Sequence, residues 1–194
     1  MRVVALIAAA GRSGRMGSPK ALLPFGHDVD ADSFVVVIAD VCRAASCDVV
    51  VSVPDGDDGD RVRAVVGDVI TITNPTPSLG LSGSILAALD VDADIDALLL
   101  WPVDAPFADV ALVRSLVAAL DDDDIDAAVP LTPAGRGHPV LWRASTFAAL
   151  RAHADNGGPR RVLDEVRVHE VIVDDDRLAM NLNTPADWQR AFAR

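Results

Sequence analysis

Short, wholly apolar runs alternate with amphipathic stretches along most of the chain. Strand-like runs recur at Val3–Ala8, Asp48–Val53, Val69–Thr73, Ala97–Trp101 and Ala127–Leu131; their length and apolar character favour extended backbone. Between them, helix-like stretches occupy Ser33–Ala45, Arg61–Val66, Ser82–Leu89 and Val110–Leu120. Strands that are apolar on both faces, separated by amphipathic segments, predict an α/β fold: a mostly parallel sheet flanked by helices on both sides. After Leu131 the rhythm changes. The stretch "GRGHPVLW" reads as a loop entering a short strand, Ser145–His153 as a helix, and "NGGPRRVLDEV" as a glycine turn into another helix, with Pro159 suited to its first turn. "VHEVIV" predicts one more strand, and Pro185–Ala193 a terminal helix with Thr184 as its N-cap. There is no internal repeat and no long linker, so the 194 residues are read as a single domain.

Composition narrows the partners. Hydrophobic residues make up 51% of the chain but aromatics only 4%, and Tyr is absent, so the core must come from Ala, Val, Leu and Ile. A net charge of -12 argues against nucleic acid or a membrane surface as a partner. An anionic ligand then needs a local basic site working against the overall field. Cys42 and Cys47 share one predicted helix without a matching Cys or His pair, the pattern of inert thiols. No apolar stretch is long enough to span a bilayer, and the N-terminal run continues into a folded unit, so the expected location is the cytoplasm. The acidic runs "DGDDGD", "DDDDID" and "DDD" fall between predicted elements and read as solvated turns; EF-hand spacing and its closing Glu are missing.

The candidate chemistry starts where the first strand ends. "LIAAAGRSGRMGSPKALLPFG" breaks into Gly11, Gly14 and Gly17 and then delivers Lys20, the only lysine of the chain. Glycines at a strand's carboxyl end let backbone N–H groups approach phosphate oxygens. The dinucleotide fingerprint fails because Ser13 takes its second glycine position. Walker A fails because Lys20 lies between Pro19 and Ala21. What remains is a glycine loop with Arg12, Arg15 and Lys20, a set of cations suited to a triphosphate. A surface turn with incidental arginines is the plainer alternative.

"AAAGRSGRMGSPK" closely resembles the signature L-A-A-G-x-S-x-R-M-G-x-x-K of the MobA-like nucleotidyltransferases, especially their molybdenum cofactor cytidylyltransferase (MocA-type) branch, through Ala10, Gly11, Ser13, Arg15, Met16, Gly17 and Lys20. Four later segments follow in the family's order. "NPTPSLGLSGSI" resembles N-P-x-x-x-x-G-L-S-x-S, "WPVDAPF" the strand-end G-D-x-P with Val103 in place of glycine, and "GRGHPVLW" the R-G-H-P-V-L-[FW] stretch. "NLNTPADW" resembles the C-terminal N-x-N-T-P-E-[DE] or D-x-D-T-P-E-D motif, in the Asn form of the guanylyltransferases. "GHDVDADSFVVV", with Asp28, Asp30 and Asp32, departs from the family's short apolar entry to its first helix.

The resemblance implies a Rossmann-like three-layer nucleotidyltransferase fold, with a nucleotide-binding part over about residues 1–108 and an acceptor-binding part over about 109–194. It implies that Ala9, Ala10, Gly11, Ser13 and Gly14 wrap a nucleoside triphosphate with Arg15 and Lys20 on its phosphates. Asn74, Gly80, Ser82 and Ser84 are then expected beside the nucleoside. Asp104 is the implied Mg²⁺ ligand, with Asn181 or Asn183 adding a neutral oxygen; Arg15, Lys20 and Asp104 form the catalytic set. His138, Arg160 and Arg161 are candidates for holding the acceptor, although solvated arginines and a partly buried histidine account for them equally well. The implied reaction moves CMP from CTP to molybdopterin, a phosphorylated pterin, and makes a molybdoenzyme of the xanthine dehydrogenase type a candidate partner. Guanylyl transfer, transfer to another phosphorylated small molecule, and a non-catalytic cofactor-binding module stay open at this level. A phosphate nucleophile is already largely ionised at neutral pH and needs no general base. That agrees with four His and two Glu in no nucleophile–base arrangement.

Overall fold

The computed structural model describes residues 1–11, 18–91 and 94–193. The chain runs β1 (Val3–Ala8), α1 (Phe34–Ala44), β2 (Asp48–Val53), α2 (Asp57–Val66), β3 (Ile70–Thr73), α3 (Leu81–Val91), β4 (Ala97–Pro102) and α4 (Val110–Ala119). It continues through β5 (Ala127–Thr132), β6 (Gly135–Arg136), β7 (Val140–Arg143), α5 (Phe147–Ala152), α6 (Gly158–Leu163), β8 (Val168–Ile172) and α7 (Pro185–Ala191). One sheet carries all of these strands in the order β3-β2-β1-β4-β7-β5-β6, with β8 on the other side of β5. β1 pairs in parallel with β2 and β4, as do β2 with β3 and β5 with β8. β7 runs antiparallel between β4 and β5.

Strand periodicity divides the core into two layers. Val3, Ala5 and Ile7 of β1, with Leu99 and Trp101 of β4, pack against Phe34 and Ile38 of α1, Val62 of α2 and Leu116 of α4. Val4, Leu6, Leu98 and Leu100 face the other way, toward Ile85 and Leu89 of α3, Leu150 of α5 and Val162 of α6. Fully buried Leu, Ile and Phe side chains each contribute roughly 1.5–3 kcal/mol of transfer free energy, so the two layers hold the sheet rigid beneath its loops.

Several elements differ from the sequence expectation for local reasons. Asp57, Asp58 and Asp60 stand in the first turn of α2 instead of a solvated turn, where carboxylates offset the positive end of the helix dipole. Gly59 sits where a Cβ would lie 2.0 Å from the Pro54 carbonyl oxygen, so only glycine lets α2 begin so close to the end of β2. The two-residue strand β6 turns back on β5 and carries too little apolar pattern to be read from sequence. Among the described residues, no helix is long and apolar enough to cross a membrane. Cys42 lies on α1 but Cys47 falls past its end, so the two do not share one helix as expected; both are buried free thiols, and burial pushes the Cys47 thiol up to about 11, which keeps it protonated and unreactive.

Candidate active site

A cavity of about 800 Å³ opens at the carboxyl ends of β1 and β4, lined by Ala8, Ala10, Gly11, Asn74, Gly80, Ser84, Asp104, His138, Asn181 and Asn183, among others. Its location follows the rule for open α/β sheets. Three chain segments far apart in sequence meet at its rim. Lys20 Nζ donates to Asp104 Oδ2 at 2.8 Å and to Asn183 Oδ1 at 2.7 Å. The lysine and aspartate side chains are only 16% and 22% exposed, so water screens this pair less than a surface bridge.

Each partner is held from behind. Lys20 opens a 3-10 turn, Lys20–Leu22, whose Ala21 is buried in the core. The turn is tied to α1 by the Phe34 N–H bonding to the Leu23 carbonyl. Asp104 follows β4 in a tight turn; the Trp101 indole Nε1–H bonds to the Ala105 carbonyl at 2.9 Å, and the Leu182 N–H bonds to the Asp104 carbonyl at 2.8 Å. Asn183 precedes a capping box. The Thr184 hydroxyl accepts from the Asp187 N–H, while the Asp187 carboxylate accepts from the N–H groups of Asn183 and Thr184.

The opposite wall is built around Asn74. Its Nδ2 donates to the Gly80 carbonyl at 3.0 Å and lies 3.4 Å from Ser84 Oγ, while its Oδ1 accepts from the Thr76 N–H. Ser52 Oγ of β2 donates to Ser84 Oγ at 2.7 Å. Gly83 lets α3 approach this cluster, since a Cβ there would stand 2.5 Å from Asn74 Oδ1.

A second cavity, of about 670 Å³, adjoins the first across Leu81 and His138, which line both. Leu100, Val129, Val140 and Trp142 contribute to its apolar wall, and Arg136 and Arg160 also line it. The His138 N–H bonds to the Leu178 carbonyl at 3.0 Å. Gly137 packs so tightly on Leu178 that a Cβ would fall 2.5 Å from that same oxygen. Burial pushes the His138 pKa down, and the opposing pull of the Asp104 carboxylate is the smaller effect.

This arrangement, a strand-end cavity with a lysine–carboxylate pair and a polar loop opposite, agrees with the comparison to known proteins. A family model described as the MobA-like NTP transferase domain matches residues 5–171. The chain belongs to this family. A molybdenum cofactor guanylyltransferase of Rhodobacter capsulatus is 33% identical over 201 residues, covering 100% of this chain and 97% of the relative. The enzyme of that name from Xanthomonas euvesicatoria pv. vesicatoria (strain 85-10) is 27% identical over 188 residues, 95% of this chain and 92% of the relative. The crystal structure of a Mycobacterium tuberculosis Rv0371c homologue from Mycobacterium sp. strain JC1 superposes with a TM-score of 0.79 at 27% identity, covering 100% of this chain and 97% of that one. The chain is therefore a nucleotidyltransferase.

Within this MobA-like NTP transferase, Ala10, Gly11, Asn74, Gly80 and Ser84 line the first cavity, and Ala9 follows directly on β1 with its N–H on the Ser52 carbonyl. Ser13, Gly14 and Arg15 lie outside the described residues. Ser82 is not among the residues lining this cavity; it packs beside Gly158 at a separate, smaller depression. Arg160 lines the second cavity, while Arg161 lines neither and pairs with Glu165, just past the end of α6. Asn181 and Asn183 both line the first cavity. Sequence reasoning passed over Asp187, which carried a legible signal, the Thr-x-x-acid spacing of a capping box.

The donor set at the rim fits Mg²⁺, which takes oxygen ligands and keeps several waters. Asp104 offers a carboxylate, Asn181 and Asn183 offer amide oxygens, and two of these groups already converge on one cation, the Lys20 ammonium. The described residues contain no cluster of three His, Cys, Asp or Glu that could hold a metal unaided, so phosphate and water would complete the shell.

Proposed function

We propose that the chain transfers CMP from CTP to the phosphate of molybdopterin, in a reaction dependent on Mg²⁺. The observation that carries this reading is the Lys20–Asp104–Asn183 cluster at the rim of the first cavity. The second cavity, sharing the His138 wall, offers an apolar surface and cationic groups suited to a planar, anionic acceptor. An acceptor phosphate oxygen forms a bond to the α-phosphorus of CTP, the bond from that phosphorus to the bridging oxygen breaks, and pyrophosphate leaves. Lys20 stabilises charge that builds on the phosphates, and the two cavities hold the reactants in line. Mg²⁺, held by Asp104 with Asn181 or Asn183, would neutralise phosphate charge when bound. By the resemblance to the cytidylyltransferase branch, the product would pass to a molybdoenzyme of the xanthine dehydrogenase type.

Support for cytidine comes from Ala10. By the resemblance, the guanylyltransferase branch usually carries a second glycine at that position, whereas Ala10 lines the cavity here. A GTP-dependent reaction is the second reading, favoured by three curated relatives, each named a molybdenum cofactor guanylyltransferase, and by the Asn form of "NLNTP". Thermal shift with CTP, GTP, ATP and UTP in Mg²⁺, followed by turnover with molybdopterin, separates the two. A selective CTP shift with pyrophosphate release supports the first reading. A selective GTP shift replaces it with the second, and binding without turnover replaces both with a cofactor-binding module.

A further inference from the structure

His138 forms part of the wall common to both cavities, and its two ring nitrogens are placed differently. Nδ1 is buried and has no hydrogen-bond partner among the described residues. Nε2 likewise makes no bond to the described protein groups but is not among the buried, orphaned atoms, which leaves it on the reachable side of the ring. A neutral imidazole carries its single hydrogen on one nitrogen or the other. Placing it on Nδ1 strands a buried donor and turns a bare lone pair toward a cavity where the Asp104 carboxylate and bound phosphates supply negative charge. Placing it on Nε2 strands only a lone pair and presents an N–H to that negative field. Full protonation would also bury an unpartnered Nδ1–H.

We infer that His138 is held as the neutral Nε2–H tautomer and serves as the acceptor-positioning residue, donating this hydrogen to a non-attacking oxygen of the acceptor phosphate. The inference rests on the reading of the second cavity as the acceptor site. Its ligand class is a phosphate monoester seated between the two cavities. His138 is no general base here: the nucleophile needs no deprotonation, and an Nε2 that carries hydrogen has no lone pair to offer. The backbone fixes the ring in place through the His138 N–H on the Leu178 carbonyl and the tight packing of Gly137.

Long-range ¹H–¹⁵N correlation on histidine-labelled wild-type protein reads the tautomer directly and needs no substitution. The expected spectrum at neutral pH has His138 as Nε2–H, with a saturable shift when inorganic phosphate is titrated in the presence of CTP and Mg²⁺. An Nδ1–H tautomer, an imidazolium, or a signal unmoved by phosphate overturns the inference. In turnover, His138→Ala should raise acceptor KM about 10- to 100-fold, the loss of one hydrogen bond to a charged group, and more than it raises nucleotide KM. His138→Gln, whose amide nitrogen replaces Nε2, should recover most of that loss. His138→Asn, whose amide nitrogen falls near Nδ1, should not; Asn outperforming Gln would overturn the assignment. If the spectra behave as expected but molybdopterin is not a substrate, the proposed acceptor falls while the role of His138 stands.

Discussion

Lys20 is the residue on which the site turns, because its ammonium reaches Asp104 and Asn183 from a segment distant in sequence from both. Replacing it with Ala should lower kcat by about 100-fold or more, as expected when a preorganised charge on the reacting phosphates is removed. The melting temperature should change little, since the ion pair faces a cavity that water can fill. Asp104→Ala should abolish the dependence of the residual rate on Mg²⁺. Parallel rate and unfolding measurements check both, and wild-type rates in both variants would dismantle the site as assigned. Of the rim residues, Lys20 was conspicuous in the sequence as a lone lysine in a glycine loop. Its partnership with Asn183 was not, because sequence spacing carries no information about which strand end the C-terminal motif docks against.

At the scale of elements, two short structures fix the geometry of the rim. α7 begins in a capping box, and Thr184→Ala should cost about 1 kcal/mol, measurable by denaturant unfolding. Hydrogen bonds from Thr184, first from its hydroxyl, hold the Asp187 carboxyl below the usual carboxylate range. A carboxyl lowered on folding contributes stability above its unfolded pKa of about 4, and that contribution is lost as pH falls through the lower folded value. Asp187→Asn should therefore flatten the acid limb of Tm against pH without removing stability that depends on pH above neutrality. On the other wall, Gly83→Ala would drive a methyl group against Asn74 and the Thr76 carbonyl. A loss of about 1–3 kcal/mol is expected from such overpacking, with weaker nucleotide-induced stabilisation in the same melts. The strands β1, β2 and β5 were legible because central strands in a covered sheet are continuously apolar. The antiparallel placement of β7 was not legible. A four-residue strand reads alike in either direction, and only its pairing with β4 and β5 defines it.

Across the whole molecule, one sheet joins the residues proposed to hold the nucleotide to those proposed for the acceptor, so the two cavities keep a fixed relation. The net charge of -12 works against an incoming triphosphate. Screening should relieve that repulsion, and the association rate of CTP, followed by stopped flow, should rise from low to physiological ionic strength. A falling rate would mean that the local cations outweigh the field of the rest of the surface. The few aromatic residues are also unevenly spread. Phe25, Phe34, Phe107, Trp188 and Phe192 stack together where α7 meets the segment behind Lys20 and the turn after Asp104. The indole Nε1–H of Trp188 bonds to the Pro24 carbonyl there. With no tyrosine in the chain, near-ultraviolet emission comes from three indoles alone. Trp101 sits beneath the Asp104 turn, Trp142 lines the second cavity, and Trp188 clasps the C-terminal helix. Each of these regions thus has its own optical probe, and single-tryptophan variants would let ligand binding at the proposed donor site, ligand binding at the proposed acceptor site and unfolding of α7 be followed separately in one unlabelled protein.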